Sequence, residues 1–130
     1  MTRSIRGCAV LLLAGSVLAA CTASAGAGGQ GAPPPSAPAG GAVITAQGIA
    51  FDRTQLDVPA GRPFLLLFEN RDGAPHNVRI YDEVVDQPLF AGEVFGGSGS
   101  RTYEVPAIHS GTHRFRCDVH PEMSGTVSAG

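Results

Sequence analysis

The apolar residues from Ala42 onward fall in short runs, and Gly, Pro, Asn and Asp separate one run from the next. Short runs of this kind, some with every second residue apolar, are typical of β-strands. No window has the periodicity and capping residues of a helix. The predicted strands are Ala42–Ala46, Gln55–Val58, Phe64–Glu69, Asn77–Tyr81, Phe90–Phe95, Arg101–Val105, Thr112–Arg116 and Gly125–Ser128.

The run Phe64–Phe68 is apolar on both faces, which favours a central strand. About eight short strands at this spacing close most naturally as two packed sheets. We therefore expect an all-β sandwich that occupies residues 43–130 as one domain.

Residues 1–20 have the pattern of a signal peptide. Arg3 and Arg6 precede an apolar run, Ala9–Ala20, that is too short to span a membrane comfortably. The run ends in Leu18-Ala19-Ala20-Cys21, which is similar to a bacterial lipobox and predicts lipidation of Cys21 followed by cleavage before it. An ordinary secretory signal is the alternative. The prediction is an extracytoplasmic protein with a lipid anchor in a bacterial membrane.

Residues 21–42 follow the predicted cleavage point and consist almost entirely of Ala, Gly, Ser and Pro. Such a composition buries little apolar surface, so it predicts a disordered tether between the lipidated cysteine and the folded domain.

The chain has three cysteines and a formal net charge of −2. Loss of Cys8 with the signal and lipidation of Cys21 would leave Cys117 as a single thiol, with no disulfide partner in an oxidising compartment. Metal binding would protect such a thiol. The charge is mildly negative and no basic run occurs, so nucleic-acid binding is unsupported.

The candidate chemistry lies in Cys117, His120 and Met123, together with His76 about forty residues upstream. One thiolate, two imidazoles and one thioether are the ligands of a blue-copper site, in which Cys and two His form a plane and Met binds weakly along the axis. If the flanking segments are extended, Cys117 and His76 end two rows of inward-facing side chains. Glu122, a hard donor, is expected to face solvent.

These residues sit in a larger set of motifs whose order resembles that of the cupredoxin family, specifically its small plastocyanin- and amicyanin-like members. The resemblance covers about residues 43–130. The motifs are Leu56-Asp57-Val58-Pro59-Ala60-Gly61, Asn70-Arg71-Asp72, Pro75-His76-Asn77-Val78, Gly111-Thr112-His113-Arg114-Phe115-Arg116-Cys117 and His120-Pro121-Glu122-Met123-Ser124-Gly125.

The resemblance implies a Greek-key β-sandwich that holds one type 1 copper through His76, Cys117, His120 and Met123, with Asn77 helping to hold the cysteine loop. It also implies a monomeric electron shuttle and not an enzyme. The partners that the family implies are cytochromes, copper oxidases or reductases, and dehydrogenases.

Three alternatives remain open. Zinc accepts a Cys-His-His set, although a thioether is an unusual ligand for it. A copper chaperone or storage protein would also bind copper, but such proteins tend to be rich in Met and His, and this chain has two Met. A copper enzyme would need a second centre, for which only His109 and His113 are left; we expect His113 to be a core residue with a hydrogen-bond partner and His109 to be exposed.

Overall fold

The computed structural model describes residues 39–130. The predictions of a signal peptide in residues 1–20 and of a tether from Cys21 onward fall outside that range, apart from the last residues of the tether. Within the described residues, no helix has the length and apolar character needed to cross a membrane. The strands are β1 (Ala42–Ala46), β2 (Gln55–Val58), β3 (Phe64–Asn70), β4 (Arg79–Asp82), β5 (Pro88–Ala91), β6 (Gly99–Val105), β7 (Gly111–Arg116) and β8 (Ser124–Ala129).

The strands form two sheets, one in the order β1-β3-β6 and the other in the order β2-β8-β7-β4-β5. β1 runs parallel to β3 and β2 parallel to β8, whereas the remaining neighbours are antiparallel. β3 is central in its sheet, as its apolar pattern predicts, and it buries alternate side chains between the sheets. The prediction of an all-β sandwich is confirmed. The buried core includes Ile44, Leu66, Phe68, Ile80, Phe115 and Val127.

Two strand predictions are misplaced. β4 begins at Arg79 and not at Asn77; the Asn77 side chain bonds to the Asp118 carboxylate and to the Gly92 carbonyl. β5 spans Pro88–Ala91 and not Phe90–Phe95. The chain leaves the sheet at Gly92, where a Cβ atom would lie 3.0 Å from a backbone oxygen and 3.2 Å from the ring of Tyr103. β1 and β2 have the predicted bounds, and the remaining strand ends differ from their predicted positions by two residues at most.

The pairing of β4 with β7 positions the candidate site. Arg79 pairs with Arg116, so the segment before β4 and the loop after β7 leave the sheet side by side. His76 lies in the first of these segments and Cys117 in the second. Residues that are about forty positions apart in sequence are thereby brought to the same end of the sandwich.

Candidate metal centre

Cys117 is fully buried and directly follows β7, where it continues the inward-facing row of His113 and Phe115. A tight loop joins it to β8. The Cys117 N–H donates to the Met123 carbonyl at 2.9 Å, and the Met123 N–H donates to the His120 carbonyl at the same distance. These two bonds fold the loop back on itself, so that three candidate ligands come from one short segment.

His76 is also fully buried, and it is held by backbone pairing with Phe95 in both directions at 3.1 Å. Its Nδ1 atom lies 3.9 Å from the Cys117 Sγ atom, and the Nδ1 atom of His120 lies 3.8 Å from the same sulfur. The structure thus brings one sulfur and two imidazole nitrogens together in a dry pocket, with each histidine presenting the same ring nitrogen.

These separations suit a metal ion. With metal–sulfur and metal–nitrogen bonds of about 2.3 Å and 2.05 Å, a trigonal plane would place sulfur and nitrogen about 3.8 Å apart. The observed 3.9 Å and 3.8 Å agree with that spacing. Met123 is 3% exposed and occupies the same loop. A set of one thiolate, two imidazoles and one thioether is chemically suited to copper.

Asp72 supports His76 from behind. The His76 Nε2 atom lies 2.9 Å from a carboxylate oxygen of Asp72, and an ionised carboxylate can only accept a hydrogen bond. This bond assigns the proton to Nε2 and leaves the Nδ1 lone pair directed toward Cys117. The backbone N–H groups of Gly48 and Ile49 also donate to Asp72 and hold its pKa below the usual value, with the bond from His76 acting in the same direction.

The turn that holds Asp72 is strained. Gln47 and Ala50 exchange two backbone hydrogen bonds around Gly48 and Ile49, both of which have positive φ. A β-branched residue such as Ile49, at φ 56°, is an outlier in this region. The strained turn aims two N–H groups at one carboxylate, and it thereby fixes the acceptor for His76.

A second network ties the two ligand-bearing segments together. The Asn77 amide donates to the Asp118 carboxylate at 2.8 Å and to the Gly92 carbonyl at 3.0 Å, and the Asp118 N–H donates to the Asn77 side-chain oxygen at 2.8 Å. Asn77 follows His76 directly and Asp118 follows Cys117 directly. The contact between Asn77 and the cysteine loop is therefore present, as the family resemblance implies.

The remaining predictions about individual side chains agree with the structure. Glu122 is exposed, His109 is exposed, and His113 is buried with its Nε2 atom 2.9 Å from the His109 carbonyl oxygen. Sequence reasoning missed Asp72 and Asp118. The sequence does show Asp72 four positions before His76 and Asp118 next to Cys117. The contact of Asp72 depends on the turn at Gly48 and Ile49, and the contact of Asp118 depends on the pairing of β4 with β7.

Known proteins give independent support for this fold and chemistry. The family model of the cupredoxin-like domain matches residues 10–129. Plastocyanin A/B of Petroselinum crispum is 33% identical over 89 residues, which are 62% of this chain and 88% of that protein.

Solved structures agree in fold. Reduced auracyanin of Roseiflexus castenholzii has a TM-score of 0.61 at 21% identity, over 68% of this chain and 94% of that one. Auracyanin A of Chloroflexus aurantiacus, described as a "blue" copper protein, has a TM-score of 0.60 at 19% identity, over 68% and 96% of the two chains. Amicyanin of Paracoccus versutus has a TM-score of 0.55 at 22% identity, over 72% and 84%.

The family match extends over well more than half of the chain, and the side chains of His76, Cys117 and His120 lie close enough together to hold one metal ion. The cofactor is one type 1 copper, and the protein is not an enzyme. The chain belongs to the cupredoxin-like family of blue copper proteins.

Proposed function

We propose that this protein carries single electrons between extracytoplasmic redox partners, with His76, Cys117, His120 and Met123 as the copper ligands. The observation that carries the proposal is the buried Cys117 sulfur with two imidazole Nδ1 atoms 3.9 Å and 3.8 Å away. The partners are expected among cytochromes, copper oxidases or reductases, and dehydrogenases.

Each residue has a distinct role in this proposal. Copper supplies a one-electron couple between Cu(I) and Cu(II). Cys117 and His76 are fully buried, so they would hold the ion in a site shielded from solvent, whose shape is set by the surrounding strands. Asp72 keeps the His76 ring in one orientation. His120 is only partly buried, so we expect electrons to pass through its ring to a docked partner.

The surface around this end of the sandwich suits brief docking. Three aliphatic side chains in segments that adjoin the site are exposed: Ile49 in the strained turn, Val94 beside the residue that pairs with His76, and Val119 in the cysteine loop. We expect a partner to dock over these three side chains and to bury only a small area, as weak electron-transfer complexes do.

The colour of the oxidised protein tests the ligand assignment. The full chain loaded with Cu(II) should absorb strongly in the visible range through thiolate-to-copper charge transfer, and Cys117→Ser should lose that absorption because a hydroxyl cannot replace the thiolate. Glu122→Gln is the matched control in the same loop, since its side chain is exposed, and it should stay coloured. An intensely coloured Cys117→Ser protein would refute the assignment.

Retention of copper separates an electron carrier from a copper-delivery protein. A carrier must hold its ion in both oxidation states, whereas a delivery protein must release Cu(I). We expect the reduced chain to keep one copper in the presence of a moderate Cu(I) chelator and to regain its full colour on reoxidation. Complete transfer of copper to that chelator, with colour lost for good, would favour delivery.

The location is also part of the proposal. Lipidation of Cys21, followed by a flexible tether that ends before β1, would hold the copper domain near a bacterial membrane while leaving it free to turn. We expect Cys21→Ala to appear in the soluble fraction or to remain unprocessed, whereas Cys8→Ala should stay membrane-bound. Membrane retention of a correctly cleaved Cys21→Ala protein would contradict lipid anchoring.

A further inference from the structure

A second group of metal-binding side chains lies at the opposite end of β7. Asp82, the last residue of β4, pairs with His113 of β7, and His109 lies in the preceding loop. One ligand atom from each of the three lies within 4.8 Å of the others. His113 and Cys117 are four residues apart on an extended strand, about 13 Å along its length. The group is therefore separate from the copper centre.

The protonation of His113 follows from its surroundings. Its Nε2 atom lies 2.9 Å from the His109 carbonyl oxygen, which can only accept a hydrogen bond. Nε2 must therefore carry the proton in the neutral ring, and Nδ1 holds a free lone pair. That Nδ1 atom is buried and has no hydrogen-bond partner among residues 39–130. A buried acceptor without a donor is unfavourable unless some other group satisfies it.

This arrangement has the form of a metal-ligating histidine. Such histidines donate their second ring N–H to a carbonyl or carboxylate, which fixes the tautomer and orients the other nitrogen toward the ion. His76 does this with Asp72 at the proposed copper centre. His113 does the same with a backbone carbonyl, yet nothing within residues 39–130 receives its lone pair.

Asp82 and His109 complete the group. One Asp82 oxygen accepts from the N–H groups of Val84 and Val85 at 2.8 Å and 3.0 Å, which fixes the carboxylate. The other oxygen lies 3.4 Å from the Nε2 atom of His109, close to the roughly 3.3 Å between two ligands of a tetrahedral ion with bonds of about 2.05 Å. The His109 side chain is 62% exposed, so its ring can adjust as an ion binds.

We propose that Asp82, His109 and His113 form a second metal site, able to hold a borderline divalent ion such as Zn²⁺. Two imidazoles and a carboxylate suit zinc, and without a thiolate or thioether the set has no preference for Cu(I). The fourth position would face solvent beside His109 and would be filled by water. An ion there joins the β6–β7 loop to the end of β4 and satisfies the buried Nδ1 atom.

Zinc binding by the copper-loaded full chain tests this proposal, because copper already occupies the Cys117 centre. We expect native mass spectrometry and equilibrium dialysis to find one Zn²⁺ bound in addition to the copper. His109→Ala should weaken zinc binding by about 100-fold or more and leave the blue absorption unchanged. This variant keeps the backbone carbonyl that accepts from His113. Asp86→Asn, which changes a nearby exposed carboxylate, is the matched control and should bind zinc normally.

Imidazole nitrogen chemical shifts identify the ligand atom directly. In the chain that holds Cu(I), which is diamagnetic, zinc should shift the Nδ1 resonance of His113 and leave its Nε2 bonded to hydrogen. The proposal is overturned if the copper-loaded chain binds no zinc, if zinc only displaces copper, if His109→Ala binds zinc as tightly as the unmodified chain, or if the His113 Nδ1 resonance does not move.

Discussion

Replacing Asn77 with Ala should both destabilise the domain and loosen the copper centre. The substitution removes three hydrogen bonds from a side chain that is 1% exposed: the bond to the Gly92 carbonyl and the two that join Asn77 to Asp118. At about 1 kcal/mol for each neutral bond and about 2 kcal/mol for the bond to a carboxylate, the gross loss is about 4 kcal/mol. The Asp118 carboxylate keeps Arg79 and Tyr81 as partners, so we expect a net loss of about 3 kcal/mol.

The free energy of unfolding of the metal-free chain, from urea titration, measures the first effect. The rate at which a chelator removes copper measures the loosening of the copper centre. We expect this rate to rise by about 10- to 100-fold, which is the usual effect on metal affinity of losing a group that orients a metal ligand. Asp118→Asn is the comparison variant. It keeps the backbone N–H that bonds to Asn77, but its amide offers one acceptor oxygen in place of the carboxylate's two, so we expect a smaller loss than for Asn77→Ala. A loss below 1 kcal/mol together with unchanged copper release would show that this network does not hold the cysteine loop.

Three other outcomes follow from the structure. Met123→Gln should lower the reduction potential because an axial oxygen favours Cu(II), and Met123→Leu should raise it, with copper retained in both; voltammetry with metal analysis checks this. Gly125→Ala should destabilise the domain by about 3 kcal/mol in thermal or urea unfolding, since a Cβ there would overlap a buried aromatic ring of β7. The backbone N–H groups of Val85 and Val84 hold the pKa of Asp82 below its usual 3.8. As the pH falls, Asp82 is therefore protonated in the unfolded chain before it is protonated in the folded one. The free energy of unfolding should decrease below about pH 4, and it should decrease less steeply in metal-free Asp82→Asn, which has no carboxylate at this position.

The features that the sequence predicted well depend on local patterns. The continuously apolar run Phe64–Phe68 predicted a central strand. The spacing of Cys117, His120 and Met123 predicted that three candidate donors share one short loop after a strand, and the structure places them in such a loop. The start of β4 and the end of β5 were misplaced because pairing with distant backbone, and not local apolarity, decides where Asn77 and Gly92 leave the sheet.

The support for His76 was beyond sequence reasoning for the same reason. Asp72 reaches His76 only because Ile49 adopts a positive φ and, with Gly48, directs its N–H group at that carboxylate. The identity of Ile49 does not predict a positive φ, since β-branched residues avoid that conformation.

The distribution of the four proposed ligands along the chain has a consequence for folding. Cys117, His120 and Met123 lie within seven consecutive positions, whereas His76 is 41 residues from Cys117. The unfolded chain can therefore bind copper through the three donors of the cysteine loop. His76 can join them only after β4 has paired with β7. An ion that also binds the unfolded chain stabilises the native state less than its native affinity suggests. Copper should therefore attach to the nascent loop before the sandwich closes and remain attached through unfolding.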